Sequence, residues 1–123
     1  MYIEAMSEIA ELTERLRAFR QMRDWDQFHH PKDIAVSIVL EACELLEHFQ
    51  WKTNEQAEEY IRLNREEIGD EAADVLIYLI QFCDRAGIDL AAAVQRKIEK
   101  NEKNYPADRV KGSAKKYTEY EKP

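Results

Sequence analysis

The sequence predicts an all-α protein, and three observations carry that reading. Among 123 residues there are only three glycines and three prolines, no run alternates with the two-residue period of a strand, and apolar residues recur at helical spacing throughout. The length suits one compact domain. We therefore expect an antiparallel bundle of about five helices joined by short connections.

A first helix is expected from Ile3 to Arg20, with Ile9, Leu12, Leu16 and Phe19 as its apolar stripe. The aromatic segment RDWDQFHHPKD, residues 23–33, follows. Pro31 disfavours helix at His30, and Asp33 is the expected N-cap of the second helix, Ile34 to Trp51. Thr53 or Asn54 caps a short third helix whose buried side is Ala57, Tyr60, Ile61 and Leu63. Asn64 caps a fourth helix, apolar from Ile68 to Ala86, which Gly87 ends in the left-handed backbone geometry that favours glycine. Asp89 caps the last long helix, Leu90 to Asn104, and Pro106 stops it. The expected organisation is a helical domain over residues 1–106 and a basic tail over 107–123 that orders on a ligand or a neighbouring subunit.

The second and fourth helices are apolar on most of their surface, yet each carries a polar stripe. In the second, Ser37, Glu41, Glu44 and His48 are spaced four, three and four; in the fourth, Glu71, Asp74 and Tyr78 follow the same pattern. Such spacing places each set on one helix face. An ionised carboxylate out of water costs several kcal/mol or more unless it is paired. Facing carboxylates repel unless a cation lies between them, so Glu41, Glu44, Glu71 and Asp74 are the candidate ligands of a hard divalent ion. An all-oxygen set favours Mg²⁺, with Mn²⁺ as a substitute. Glu47 and Glu67 lie near the same faces as supporting or salt-bridging groups. A di-iron centre would need Glu-x-x-His pairs; His48 stands four residues after Glu44 and one after Glu47, and neither spacing matches.

Charge is unevenly spread along the chain. The net charge is −7, but residues 1–94 carry 9 basic and 20 acidic side chains, whereas residues 95–123 carry 9 basic and 5 acidic. A basic C-terminal segment beside an acidic metal site suits a polyanionic substrate held by metal and lysine together. Long nucleic acid is excluded as a partner by the acidic body. No uninterrupted apolar run reaches eighteen residues and no signal-peptide core opens the chain, so a soluble cytoplasmic protein without a membrane span is expected. Cys43 and Cys83 read as buried, reduced thiols. Helices this apolar exceed what one small bundle buries, which predicts a homo-oligomer, dimer or tetramer.

These residues also carry a family resemblance. RDWDQFHHP at 23–31, the E-x-x-E helix ending HFQWK at 48–52, EAADVLIYL at 71–79, KIEKNEKNYP at 97–106 and SAKKYT at 113–118 occur in order over most of residues 23–118. In these motifs the chain resembles the MazG-like all-α nucleoside triphosphate pyrophosphohydrolases, and most closely their dCTP pyrophosphatase branch. The resemblance implies Mg²⁺-dependent cleavage between the α- and β-phosphates of a nucleoside triphosphate, dCTP or a modified dCTP foremost, as nucleotide-pool house-cleaning. It implies that Glu41, Glu44, Glu71 and Asp74 hold the metal and that Trp25 and Trp51 line the base pocket. Tyr78, Lys97 and Asn101 would contact sugar or phosphates. Tyr105, Lys111, Ser113 and Lys115 would close on the ligand. One departure stands out: Leu16 occupies a position where the vertebrate dCTP enzymes have a histidine, so strict cytosine preference is not implied. The alternative function is a helical module that binds nucleotide or metal without turnover.

Overall fold

The structure, a computed structural model, describes residues 7–119. Among these residues every regular element is helical. The chain divides into two compact units, residues 1–88 and 89–123. The first holds α1 (Glu8–Met22), a 3₁₀ turn (Asp26–Phe28), α2 (Pro31–Glu47), α3 (Asn54–Leu63) and α4 (Arg65–Ala86). The second holds α5 (Leu90–Asn104), the single-turn α6 (Ala107–Val110) and a 3₁₀ turn (Tyr117–Glu119).

Local chemistry accounts for most boundaries. The Ser7 side chain accepts from the Ala10 N–H and starts α1; the expected residues 3–6 of that helix lie outside the described residues. Thr53 and Gln56 form a reciprocal capping box at α3, which satisfies two donors that the first turn would otherwise leave open. Gly87 closes α4 at φ 70°, in the left-handed region, and Asp89 accepts from the Ala92 N–H at the start of α5.

Three boundaries differ from expectation. Helix α2 begins at Pro31 rather than after Asp33. At the first helical position proline loses only an N–H that has no intrahelical partner, and its ring presets φ; Asp33 becomes a first-turn acid instead. At the other end α2 stops at Glu47, where His48 and Phe49 donate to Leu45 and Leu46, so that i→i+3 bonds tighten the chain into a turn before Trp51. Asn64 precedes α4 but does not cap it by its side chain, which donates to the Tyr60 carbonyl at 3.0 Å and closes α3. In the tail, expected to order only on a partner, residues 107–110 form one helical turn.

In the first unit α2 and α4 form the main packing, with α1 and α3 laid against α4. Two contacts fix the direction of the pair. Arg85, near the end of α4, donates to the His29 carbonyl just before α2, whereas His48, just after α2, faces Glu71 near the start of α4. The helices therefore run antiparallel, as their short connection requires. Ile34 and Ile80 are buried between the elements with Cys83.

A buried guanidinium ties the third element to this pair. Arg20 is 3% exposed; its Nε donates to Asp26 at 2.9 Å and an Nη to Asp84 at 2.9 Å, and Arg17 also binds Asp84. The network joins α1, the aromatic loop and α4 at one end. Asp24 turns that loop at φ 55°, a conformation aspartate tolerates better than most residues. Cys83 is buried as expected, but Cys43 is exposed, and both are free thiols. No helix among the described residues is long and apolar enough to cross a membrane.

Candidate active site

The antiparallel pairing brings the two carboxylate stripes together. Glu41 and Glu44 on α2 and Glu71 on α4 each offer an oxygen, and the three oxygens lie within 4.8 Å of one another. Glu41 and Glu71 are half-buried; Glu44 is exposed. One oxygen of Glu41, Oε2, and one of Glu71, Oε2, are buried without a hydrogen-bond partner. Such an atom normally costs about 1–3 kcal/mol, more when charged, so two of them on converging carboxylates require explanation.

Electrostatics point the same way. Burial pushes the Glu41 carboxyl above the usual carboxylate range, and the charges of Glu44, Asp74 and Glu71 push it further. Glu71 is raised by burial and by Glu44, with His48 acting in the opposite direction. A divalent cation would reverse both effects and supply the missing partner for each orphaned oxygen. The residues therefore fit a hard cation. Asp74, expected as a fourth ligand, stands outside the close group of three; it lies one turn beyond Glu71, and its charge reaches Glu41.

Beside the carboxylates is a cavity of about 360 Å³ lined by Glu44, Glu47, His48, Lys52, Tyr60 and Glu71. Of these, Lys52 carries no functional expectation from the sequence, Tyr60 only a place on the buried side of the third helix, and His48 only a place on the stripe. The signal for His48 was its position four residues after Glu44. Tyr60 gave none, because its approach depends on α3 folding back over the end of α2.

The remaining expected residues are placed as follows. Trp25 is 44% exposed and packs edge-on to Phe19, with ring centroids 5.7 Å apart. Trp51 is 88% exposed in the turn after α2. Tyr78 is half-buried on α4, one turn beyond Asp74. Leu16 lines an apolar cavity of about 350 Å³ between α1 and α4, with Leu12, Phe19, Ala73 and Ile77 among its walls. In the second unit Lys97 and Asn101 lie one turn apart on α5 and are both exposed. Tyr105 caps that helix and donates its N–H to the Asn101 carbonyl at 2.8 Å. Lys111, Ser113 and Lys115 follow α6, where the Ser113 N–H donates to Val110 at 2.9 Å.

Two antiparallel helices that bring Glu41, Glu44 and Glu71 together define an all-α protein with a candidate cation site between α2 and α4. A family model described as the MazG-like family matches residues 36–120, and the chain belongs to that family. It is 41% identical to human dCTP pyrophosphatase 1 over 108 residues, 85% of this chain and 64% of the human protein. The mouse dCTP pyrophosphatase 1 is 40% identical over the same length. The chain thus spans just under two-thirds of the curated relatives it matches. A crystal structure of a pyrophosphatase from Archaeoglobus fulgidus superposes with a TM-score of 0.79 at 44% identity, covering 86% of this chain and 99% of that one.

Proposed function

We propose that this protein is a Mg²⁺-dependent nucleoside triphosphate pyrophosphohydrolase that converts a dNTP, dCTP or a modified dCTP foremost, to the monophosphate and pyrophosphate. The observation that carries the reading is the convergence of Glu41, Glu44 and Glu71 with two buried oxygens lacking partners. The names of the relatives, dCTP pyrophosphatase 1 and a pyrophosphatase, support the same reaction class.

In this reading Glu41, Glu44, Glu71 and Asp74 hold the ion, with Mn²⁺ able to substitute. The ion, when bound, neutralises phosphate charge and acidifies water. Water adds to the α-phosphorus, the bond from that phosphorus to the α–β bridging oxygen breaks, and the water's proton passes to a carboxylate. Glu44 is the assigned acceptor, being the solvent-accessible member of the three. Trp25 and Trp51 present ring faces for stacking on the base, a contact worth about 1–3 kcal/mol. Tyr78, Lys97 and Asn101 contact sugar or phosphates. Tyr105, Lys111, Ser113 and Lys115 close on the ligand, and the basic side chains among them stabilise the departing pyrophosphate. Residues 1–106 supply the helical enzyme and 107–123 the closing tail, in a cytoplasmic homo-oligomer. Leu16 makes its cavity wall apolar, which leaves no polar side chain at that position to select cytosine.

The test is a panel of dNTPs and NTPs incubated with protein and Mg²⁺, with products resolved by phosphorus NMR. Monophosphate plus pyrophosphate, abolished by EDTA and restored by Mg²⁺, is the expected result. Orthophosphate would mean a different bond is cut. No product from folded, metal-supplied protein would favour a nucleotide-binding module without turnover.

A further inference from the structure

Resting on the metal-site reading above, we propose that His48 and Tyr60 are positioning residues that orient Glu71 for the cation. The Tyr60 hydroxyl lies 2.8 Å from His48 Nδ1, and His48 Nε2 faces Glu71 Oε1 at 3.8 Å. The arrangement runs from α3, through the turn after α2, to α4. It joins a residue with no place in the chemistry to one of the three clustered carboxylates.

The direction of the hydrogen bond follows from what surrounds it. A lone pair on Nε2 would face a carboxylate oxygen and be repelled. The proton therefore belongs on Nε2, directed at Glu71, and Nδ1 accepts from the Tyr60 O–H. Tyr60 fixes this tautomer because its ring is held on two sides. Phe49 meets it nearly perpendicularly, at 84° with centroids 6.2 Å apart, and Lys52 Nζ sits 4.2 Å from the ring centroid. Lys52 also donates to the His48 carbonyl. The histidine side chain is only 12% exposed, so it has little freedom to turn away.

The consequence for Glu71 is an asymmetry between its oxygens. Oε1 is directed at His48, while Oε2 is buried with no partner. One oxygen orients the carboxylate and the other remains for the ion. Polar groups that hold metal ligands in this way typically contribute 10–100-fold to metal affinity.

The test measures Mn²⁺ binding to the nucleotide-free protein by electron paramagnetic resonance, beside thermal melts in EDTA. His48→Leu is expected to weaken Mn²⁺ binding by roughly 10–100-fold, and Tyr60→Phe by a smaller factor. His48→Gln, whose amide can donate at the same reach, should recover most of the loss. The metal-free melting temperature of Tyr60→Phe should stay close to that of the parent, since the ring contacts survive. Unchanged Mn²⁺ affinity in both His48→Leu and Tyr60→Phe would overturn the proposal. So would losses that His48→Gln does not rescue and that track a fall in metal-free stability, which would make the pair a structural anchor for α3. Glu71→Gln separates the two levels. If it abolishes Mn²⁺ binding while the His48 and Tyr60 variants do not affect it, the site stands and the positioning role fails. If Glu71→Gln also binds normally, the metal-site reading fails first and the proposal with it.

Discussion

Glu41 sits where three other carboxylates act on it, and that makes it the most revealing single residue. Its raised carboxyl means that the ionised form is disfavoured in the folded, metal-free protein. The charged form of Glu41 is therefore destabilised in the metal-free fold, and removal of the charge relieves that cost. Glu41→Gln should abolish hydrolysis yet raise the melting temperature of the metal-free protein at pH 7. Asp74→Asn should abolish hydrolysis as well, and circular dichroism should find the helices of both variants intact. Turnover retained in both would remove the carboxylates from the reaction. At this scale the sequence disclosed the three-residue spacing of Glu41 with Glu44 and of Glu71 with Asp74, because periodicity is local. It could not disclose which oxygens converge, and Asp74 lies outside the closest three. From the sequence Tyr60 belongs simply to a buried helix side, since its hydrogen bond to His48 forms only after α3 turns back.

Capping residues made the elements legible. Thr53, Gly87 and Asp89 mark their helix ends by interactions that span at most four residues, so the sequence contains the whole device. Pro31 was harder, because a proline reads equally as the end of a loop or the first residue of a helix. The Arg20–Asp84 contact was invisible in advance, as 64 residues separate its partners. It sets a prediction at this scale. Hydrogen bonding from Arg17, aided by Arg20, holds the Asp84 carboxyl below its usual range despite partial burial. A carboxyl lowered on folding stabilises the protein above its unfolded pKa of about 3.9 and loses that contribution as pH falls through the folded value. Asp84→Asn removes one of the two carboxylates that hold the buried Arg20 guanidinium and leaves Asp26 as the other. The expected loss is about 3 kcal/mol, the low end for a broken buried pair because Arg17 is half exposed. Melts at pH 7 should fall by roughly 10 °C. The gap between parent and variant should narrow below about pH 4 as Asp84 protonates in the parent. A gap independent of pH would mean that packing, rather than charge, holds α1 to α4.

At the scale of the molecule the most informative feature is an apolar face that α2 leaves uncovered. On α2, Val36, Val39, Leu40 and Leu46 are each more than half exposed, and Cys43, between them, is exposed too. These positions recur at helical spacing, which makes one continuous apolar stripe on a helix whose carboxylates Glu41 and Glu44 converge with Glu71 on α4. Isolated apolar residues on a surface need no partner, but a stripe of this length does. The proposed homo-oligomer would cover it with a second copy. Val39→Glu places a charge on that stripe, on the side of α2 away from Glu41 and Glu44. Sedimentation of the parent should give a multiple of 14.5 kDa, and Val39→Glu should shift the mass towards the single chain. Turnover should fall with dissociation if a neighbouring copy's tail closes over the substrate, and should persist if each chain closes its own site. A parent that sediments as a monomer at micromolar concentration would rule out the oligomer. A variant that keeps the parent's mass would place the interface elsewhere than on α2.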